Sequence, residues 1–203
     1  TPHSSLASLF SKTISLLFLS IFIHFTLTLI AIIYQLVMGY IEIEFSLYIK
    51  DFIYNLFPLY FTTCSVVVAI QVIVNNKYIG YMVSVIVLLV LDIILEVLDI
   101  SSNMISFGAT PYMIYSDLNG FGPSNIGVFW FSVYWILFGL FLFTLSGFIW
   151  NRGSVKSLKE RLNGFKSNTS KSYIIIVCSV GLLWVGVSIF VYYNTQILNT
   201  YNS

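Results

Sequence analysis

The sequence predicts an all-α protein, a polytopic bundle of about five membrane-spanning helices with short amphipathic interfacial helices. Hydrophobic residues make up 58% of the 203 residues and charged residues only 8%, whereas soluble domains carry about 25% charged residues. The apolar runs are long and are apolar on every face, unlike the alternating strands of a membrane barrel. The medium that surrounds this chain is therefore lipid.

Five segments are long enough to cross the bilayer, because about 20 apolar residues span its hydrocarbon core. The spans are predicted at 13–40, 52–74, 78–100, 127–150 and 172–193. The turn Asn75-Asn76-Lys77 is so short that the second and third helices are expected to form a tight antiparallel hairpin. The loop 101–126 combines turn formers with aromatic residues, and we expect it to fold back onto the helix ends.

The basic residues predict the orientation, because Lys and Arg accumulate on the cytoplasmic side. With Thr1 inside, Lys50 is the one basic residue on the outer face. The other eight of the nine share the inner face: Lys12, Lys77, Arg152, Lys156, Lys159, Arg161, Lys166 and Lys171. The chain is therefore predicted to have a cytoplasmic N-terminus and a C-terminus on the outer side. Since it begins without Met, we expect it to be part of a longer protein.

The inner loop contains a second pattern of interest. Val155, Leu158, Leu162 and Phe165 recur at helical spacing among basic residues. This pattern predicts a short amphipathic helix that lies on anionic lipid or docks on a cytoplasmic partner. A solvated, positively charged loop is the alternative.

The motifs of common soluble enzymes are absent from the sequence. It has no GxxxxGK[ST] phosphate loop, no HExxH zinc pair and no GxSxG nucleophile elbow. We therefore expect no catalytic residue, cofactor or metal in this segment, and a net charge of +1 gives no reason to expect nucleic acid. Cys64 and Cys178 both lie within apolar runs, so they are interpreted as small buried hydrophobic residues rather than a disulfide or metal pair.

Four titratable residues within or beside the spans are candidates for function. Asp92, Glu96 and Asp99 are spaced to share one face of the third helix. Because an acid at mid-bilayer costs roughly 2.5–3.5 kcal/mol, Asp92 and Glu96 are expected to face protein or water, either as a proton or cation site or as part of a polar outer vestibule. His24, near the middle of the first span, is expected to be a neutral, hydrogen-bonded interhelical residue rather than a metal or proton site.

The polar loops resemble those of a known family. The motifs that carry the resemblance are VNNKYIG at 74–80, FGATP at 107–111, YSDLNGFG at 115–122, WFxxYW at 130–135, WxRG at 150–153, LKERL at 158–162 and YNTQILNxY at 193–201. Together they resemble the membrane part of bacterial ABC transporter permeases, of the type-2, exporter-like class, that are fused to a zinc aminopeptidase-like domain. The resemblance extends over nearly the whole chain.

The resemblance implies a role for the N-terminal segment. In that family the corresponding loop forms a coupling helix that contacts a separate cytoplasmic ATPase, and here Leu6, Leu9 and Phe10 would supply its apolar face. It also implies a location in a bacterial inner membrane, two upstream helices and a downstream peptidase domain outside this chain. It further implies a homodimer or a pairing with a second permease half. It implies no role for Asp92 or Glu96, and no substrate.

Three functions therefore remain open from the sequence. The first is a permease module driven by a separate ATPase. The second is a membrane-embedded enzyme or proton-coupled carrier that uses Asp92 and Glu96. The third is a passive membrane anchor for a peptidase domain on the outer side.

Overall fold

The computed structural model is all-α over the residues that it describes, which are 5–99, 102–112, 122, 124–150, 160 and 170–198. The helices are α1 (Ser5–Val37), α2 (Phe45–Asp51), α3 (Phe57–Val74), α4 (Lys77–Val97), α5 (Ser124–Ile149) and α6 (Lys171–Tyr192). One π-helical segment, Phe52–Leu56, joins α2 to α3 without a break, and another, Tyr193–Leu198, extends α6. Five of the resulting helices are long and apolar enough to cross a membrane, so the chain is a multi-pass membrane protein.

The helices alternate in direction between two ends of opposite charge. The basic end carries Lys12, Lys77 and Lys171, and the acidic end carries Glu44 and Asp51. Helices α1, α4 and α6 run from the basic end to the acidic end, whereas α3 and α5 run back. The described helices therefore confirm the predicted helical class.

The ends of the helices differ from the predicted spans. Helix α1 begins at Ser5 rather than at residue 13, and α2 makes the second crossing begin at Phe45 rather than at residue 52. Hydropathy marks where lipid contact begins, but a helix continues beyond that point when its backbone hydrogen bonds and packing continue. The N-terminal segment is therefore the first turns of α1 and not a separate interfacial helix. The helix predicted in the inner loop lies outside the described residues, apart from Glu160, which is helical and exposed.

Helices α3 and α5 form the centre of the bundle and run parallel to each other. The Thr62 side chain is fully buried, and its hydroxyl donates to the Trp135 carbonyl oxygen at 2.8 Å. Gly139 makes this close approach possible, because a Cβ there would lie only 3.2 Å from the Thr62 Cα. Ser132 of α5 likewise donates to the Tyr54 carbonyl oxygen, one level closer to the acidic end. Buried hydroxyls therefore join the two helices through backbone carbonyls.

The other helices pack around this pair. Helix α4 follows α3 after the turn at Asn75 and Asn76, and this confirms the predicted hairpin. Asn75 has a left-handed backbone (φ 54°), and the Asn76 side chain accepts hydrogen bonds from the first amides of α4. Helix α6 packs against α5, where Trp184 lies 5.3 Å from Phe138 between ring centroids. Helix α1 packs mainly against α3.

The two cysteines have different environments. Cys64 is buried on α3, as expected. Cys178, which was also expected to be buried, is exposed, because the face of α6 that carries it is not the face that packs against α5. Both thiols are free.

Candidate functional site

The described part of the acidic-end loop, residues 102–112, is docked on the ends of α3 and α5. The Trp135 indole N–H donates to the Ala109 carbonyl oxygen at 2.9 Å, and its ring meets Phe107 edge-on at 5.5 Å. The Tyr134 hydroxyl donates to the Met104 carbonyl oxygen at 3.1 Å. The expectation that this loop folds back onto the helices is therefore confirmed for these residues.

A polar chain connects the same loop to the beginning of α3. The Thr110 hydroxyl donates to Asn55 Oδ1 at 2.8 Å, and Asn55 Nδ2 donates to Asp51 Oδ1 at 2.7 Å. Gly108, with φ +67°, brings the loop backbone against Leu59, where a side chain would not fit. The described part of the loop thus contacts both central helices at the acidic end.

A second polar cluster lies between α1 and α3, near the middle of the bundle. His24 Nδ1 lies 3.2 Å from the Tyr60 hydroxyl, and His24 Nε2 lies 3.3 Å from the Thr28 hydroxyl. The Thr28 hydroxyl also lies 3.0 Å from the His24 carbonyl oxygen, and the tautomer of the ring sets which partner donates at each nitrogen. The ring stacks on Phe52 at 5.5 Å. His24 is therefore a half-buried residue with both nitrogens in hydrogen-bonding distance of a neighbour, one of them on α3.

Helix α1 runs antiparallel to α3, and hydrogen-bonding contacts join it to α3 and α2 beyond its first turns. One helical turn from His24, the Ser20 hydroxyl lies 3.9 Å from the Cys64 sulfur, and at the acidic end the Tyr48 hydroxyl donates to Gln35 at 2.7 Å. The buried side chains of α1 are Leu9 and Thr13, at the basic end. Helix α1 therefore packs on the side chains of α3 at the basic end and also makes hydrogen-bonding contacts farther along its length.

The basic end fixes α1 through two contacts. Leu9 is 1% exposed and packs with Val68 and Val72 of α3. The Lys12 ammonium lies 4.5 Å from the centre of the Trp150 ring, within the range of a cation–π interaction. Leu9 is therefore covered by α3 in this structure. The predicted contact of Leu6, Leu9 and Phe10 with a cytoplasmic ATPase stays a prediction.

Phe10 has the opposite environment. Its ring is 56% exposed and touches Phe143 only edge-on, with 6.2 Å between ring centroids. Leu6 belongs to the first turns of α1, and its side chain lies outside what the structure describes. Of the three predicted contact residues, Phe10 is thus the one whose side chain is described and open.

The acidic residues of α4 do not face the interior of this bundle. Asp92 and Glu96 are both exposed, whereas Leu95, between them, is buried. Neither carboxylate has a hydrogen bond or an ion pair with any described residue. Asp99, with φ 51°, ends the helix and is also exposed. The structure therefore places these acids on one edge of the bundle, away from His24.

An apolar cleft of about 380 Å³ opens between α3 and α5 near the basic end. Ala69 and Ile73 line one wall, and Leu145 and Phe148 line the other. The hydroxyl of Ser146 in the cleft donates to its own helix at Leu142. The lining therefore suits hydrocarbon and holds no group for acid–base or nucleophilic chemistry.

No group of three or more His, Cys, Asp or Glu side chains that could hold a metal ion occurs within the described ranges. No family model, no curated protein and no solved structure matches the chain. Function is therefore argued from the sites themselves.

Sequence reasoning missed several residues that organise these sites. In the sequence, the polar residues Tyr60, Thr62 and Ser132 are marked only by their position inside apolar runs. Their partners lie on other helices, as far as 78 positions away along the chain. A polar residue in a span predicts that some partner exists, but the sequence does not say which one.

Proposed function

We propose that this chain is the transmembrane module of an exporter-like ABC permease, driven by ATP that a separate cytoplasmic subunit hydrolyses. The observation that carries the proposal is Phe10, an exposed aromatic ring at the basic end, on a turn of α1 whose other side is fixed by Leu9. The resemblance of the loop motifs to that family supports the same function. In this proposal the basic end faces the cytoplasm of a bacterial cell.

The geometry of α1 suits a coupling element. The helix runs without interruption for 33 residues, about 50 Å, from Ser5 to Val37. Because α1 is continuous and Leu9 packs on α3, a subunit that moved Phe10 would move α1 together with the end of α3 that it contacts. Farther along, α1 is joined to α3 by the hydrogen bond between His24 and Tyr60. This bond resists a movement of α1 less than closely packed apolar side chains would.

The interhelical hydrogen bonds are suited to such a movement. Polar contacts between membrane helices contribute about 0.6 kcal/mol each on average. The contacts of α1 with Cys64, Tyr60 and Tyr48 therefore hold one arrangement without making it permanent. A permease that alternates between two conformations requires helices that can shift in this way.

The test compares two exposed aromatic residues at the basic end, Phe10 of α1 and Tyr78 of α4. Phe10→Asp, Tyr78→Asp and the unchanged protein are each purified with their bound subunits from native membranes. We expect an ATP-binding subunit and its ATPase activity with the unchanged protein and with Tyr78→Asp, and a loss of at least tenfold with Phe10→Asp. An unchanged protein that carries no ATP-binding subunit would contradict the proposal.

The alternatives predict other outcomes. A proton-coupled carrier would use Asp92 and Glu96, which share one exposed face of α4 and have no hydrogen bond or ion pair with another described residue. A passive anchor for an outer peptidase requires no ATP-binding subunit, so Phe10→Asp would change nothing. The permease module is therefore the function that the basic end supports best.

A further inference from the structure

Both hydrogen-bonding partners of the His24 ring are hydroxyl groups. Nδ1 lies 3.2 Å from the Tyr60 hydroxyl, and Nε2 lies 3.3 Å from the Thr28 hydroxyl. In a neutral imidazole one nitrogen donates and the other accepts, whereas an imidazolium donates from both nitrogens. A hydroxyl group suits either form, because it can donate its proton or accept at its oxygen. The cluster can therefore hold the ring in both charge states.

A positive charge at this position needs compensation from the protein. His24 follows Lys12 by 12 positions, which places it about 18 Å farther along α1, inside a hydrocarbon core of about 30 Å. Charged groups at such a depth are costly unless they face protein or water and pair with other groups. The neighbours of the ring therefore decide whether it can be charged.

Two of these neighbours favour a charged ring. The Phe52 ring stacks on His24 with 5.5 Å between the ring centroids, within the range at which an aromatic face attracts a cation. Asp51 directly precedes Phe52, and its carboxylate interacts electrostatically with the Tyr60 hydroxyl of the same cluster. An opposite charge nearby favours the protonated form of a base. An aromatic face and a negative charge thus both lie on the side of His24 that the second crossing supplies.

His24 is the group of this cluster whose charge changes between about pH 5 and pH 8, as it does for histidine generally. The stretch 48–64 packs against it from α2, the π-helical segment and α3. Its tyrosine and cysteine side chains are of types that stay largely neutral in that range, and its lysine and aspartate are of types that stay charged. The titratable residues of this stretch are Tyr48, Lys50, Asp51, Tyr54, Tyr60 and Cys64.

We infer that His24 is a proton-binding site, and that the protonated ring holds α1 to α3 more tightly than the neutral ring does. The proton enters at the nitrogen that accepts in the neutral ring, and the hydroxyl beside that nitrogen then accepts instead of donating. A hydrogen bond from a charged donor is roughly twice as strong as one between neutral groups. Acid therefore strengthens the contact of His24 with Tyr60. The neutral ring expected from the sequence is the other state of this site, and the inference holds whether or not the chain is a permease.

Solid-state nitrogen NMR of the protein in phosphatidylcholine vesicles tests proton binding directly. The histidines carry a nitrogen isotope label, and the spectrum of a His24→Gln variant is subtracted to isolate the signals of His24. We expect one protonated and one unprotonated ring nitrogen at about pH 8, and protonation of both nitrogens at about pH 5. A ring that keeps an unprotonated nitrogen at the lower pH would overturn the inference.

A double-mutant cycle at the two pH values tests the effect on the helix contact. The coupling of His24→Phe with Tyr60→Phe, measured by reversible unfolding in mixed detergent micelles, should change the unfolding constant about threefold at the higher pH and about eightfold at the lower. By linkage, Tyr60→Phe should also lower the proton affinity of His24 about threefold in the NMR titration. Circular dichroism verifies that each variant is folded.

The matched control is the hydrogen bond between Tyr48 and Gln35. It also joins α1 to the second crossing, but neither of its side chains changes charge in this range. The coupling of Tyr48→Phe with Gln35→Leu should therefore be the same at both pH values. Equal coupling of His24 with Tyr60 at the two pH values would overturn the inference, as would a pH effect of the same size in the control pair.

Discussion

Replacing Gly139 with alanine should weaken the protein more than the same replacement at a glycine with free space. At Gly139 the new methyl group would lie 3.1 Å from two ring carbons of Phe61 and 3.2 Å from the Thr62 Cα. The backbone atom cannot rotate away, so α3 and α5 would have to separate. At Gly186 of α6, by contrast, no atom lies within 4 Å of the added methyl group.

The comparison isolates the packing contribution. Both variants gain the same helix propensity, about 1 kcal/mol for alanine over glycine. Overpacking of a close contact costs about 1–3 kcal/mol, and only Gly139→Ala incurs that cost. The difference between the two variants should therefore be about 1–3 kcal/mol, or about 5- to 150-fold in the unfolding constant.

The assay is reversible unfolding of each purified variant in mixed detergent micelles, followed by circular dichroism. We expect Gly186→Ala to be at least as stable as the unchanged protein and Gly139→Ala to be less stable than Gly186→Ala. If the two variants unfolded at the same denaturant concentration, α3 and α5 would not approach each other at Gly139, and the central pair described above would be incorrect.

Three further predictions address other parts of the chain. Trp135→Phe removes the indole donor to the docked loop, so hydrogen exchange of the amides at 102–112 should become faster by an amount equivalent to about 1 kcal/mol, and unchanged exchange would refute this role. A double-mutant cycle of His24→Phe and Tyr60→Phe should give a coupling energy of about 0.6 kcal/mol, and a coupling energy of zero would show that the two side chains form no hydrogen bond. Single cysteines at Asn76 and Glu44, in a cysteine-free protein, should react with an impermeant reagent from opposite sides of the membrane; labelling of both from outside intact cells would contradict the orientation.

The fold class could be predicted from the sequence because lipid imposes long apolar helices on any chain that crosses it. The hairpin at Asn75 and Asn76 could also be predicted, because a two-residue connection between two spans forces the helices to lie side by side. The ends of the helices were less predictable. Ser5 begins α1 in a stretch of mixed polarity, where hydropathy gives no boundary.

The sites were harder to predict than the spans, because they depend on which helices are neighbours. Leu9 and Phe10 are adjacent and both apolar, yet one is covered by α3 and the other is open. Asp92 was expected to face protein or water, and in this chain it lies on the uncovered edge of α4. Neither outcome follows from spacing alone, since a helical pattern defines a face but not the residues that cover it.

The parallel contact of α3 with α5 has a consequence for biogenesis. A ribosome completes α3 long before it reaches Trp135, the residue that accepts the hydrogen bond from Thr62. During that interval α4 is synthesised and can pair with α3. The nascent protein then contains the α3–α4 hairpin, but the face of α3 that contacts α5 has no partner yet. Synthesis of α5 then has to place a helix against α3 that is separated from it by a complete return crossing of the bilayer. The central pair of this bundle is therefore assembled after one of its peripheral helices. Truncation of the message before residue 124 would leave α3 without the helix that it contacts at the centre of the bundle.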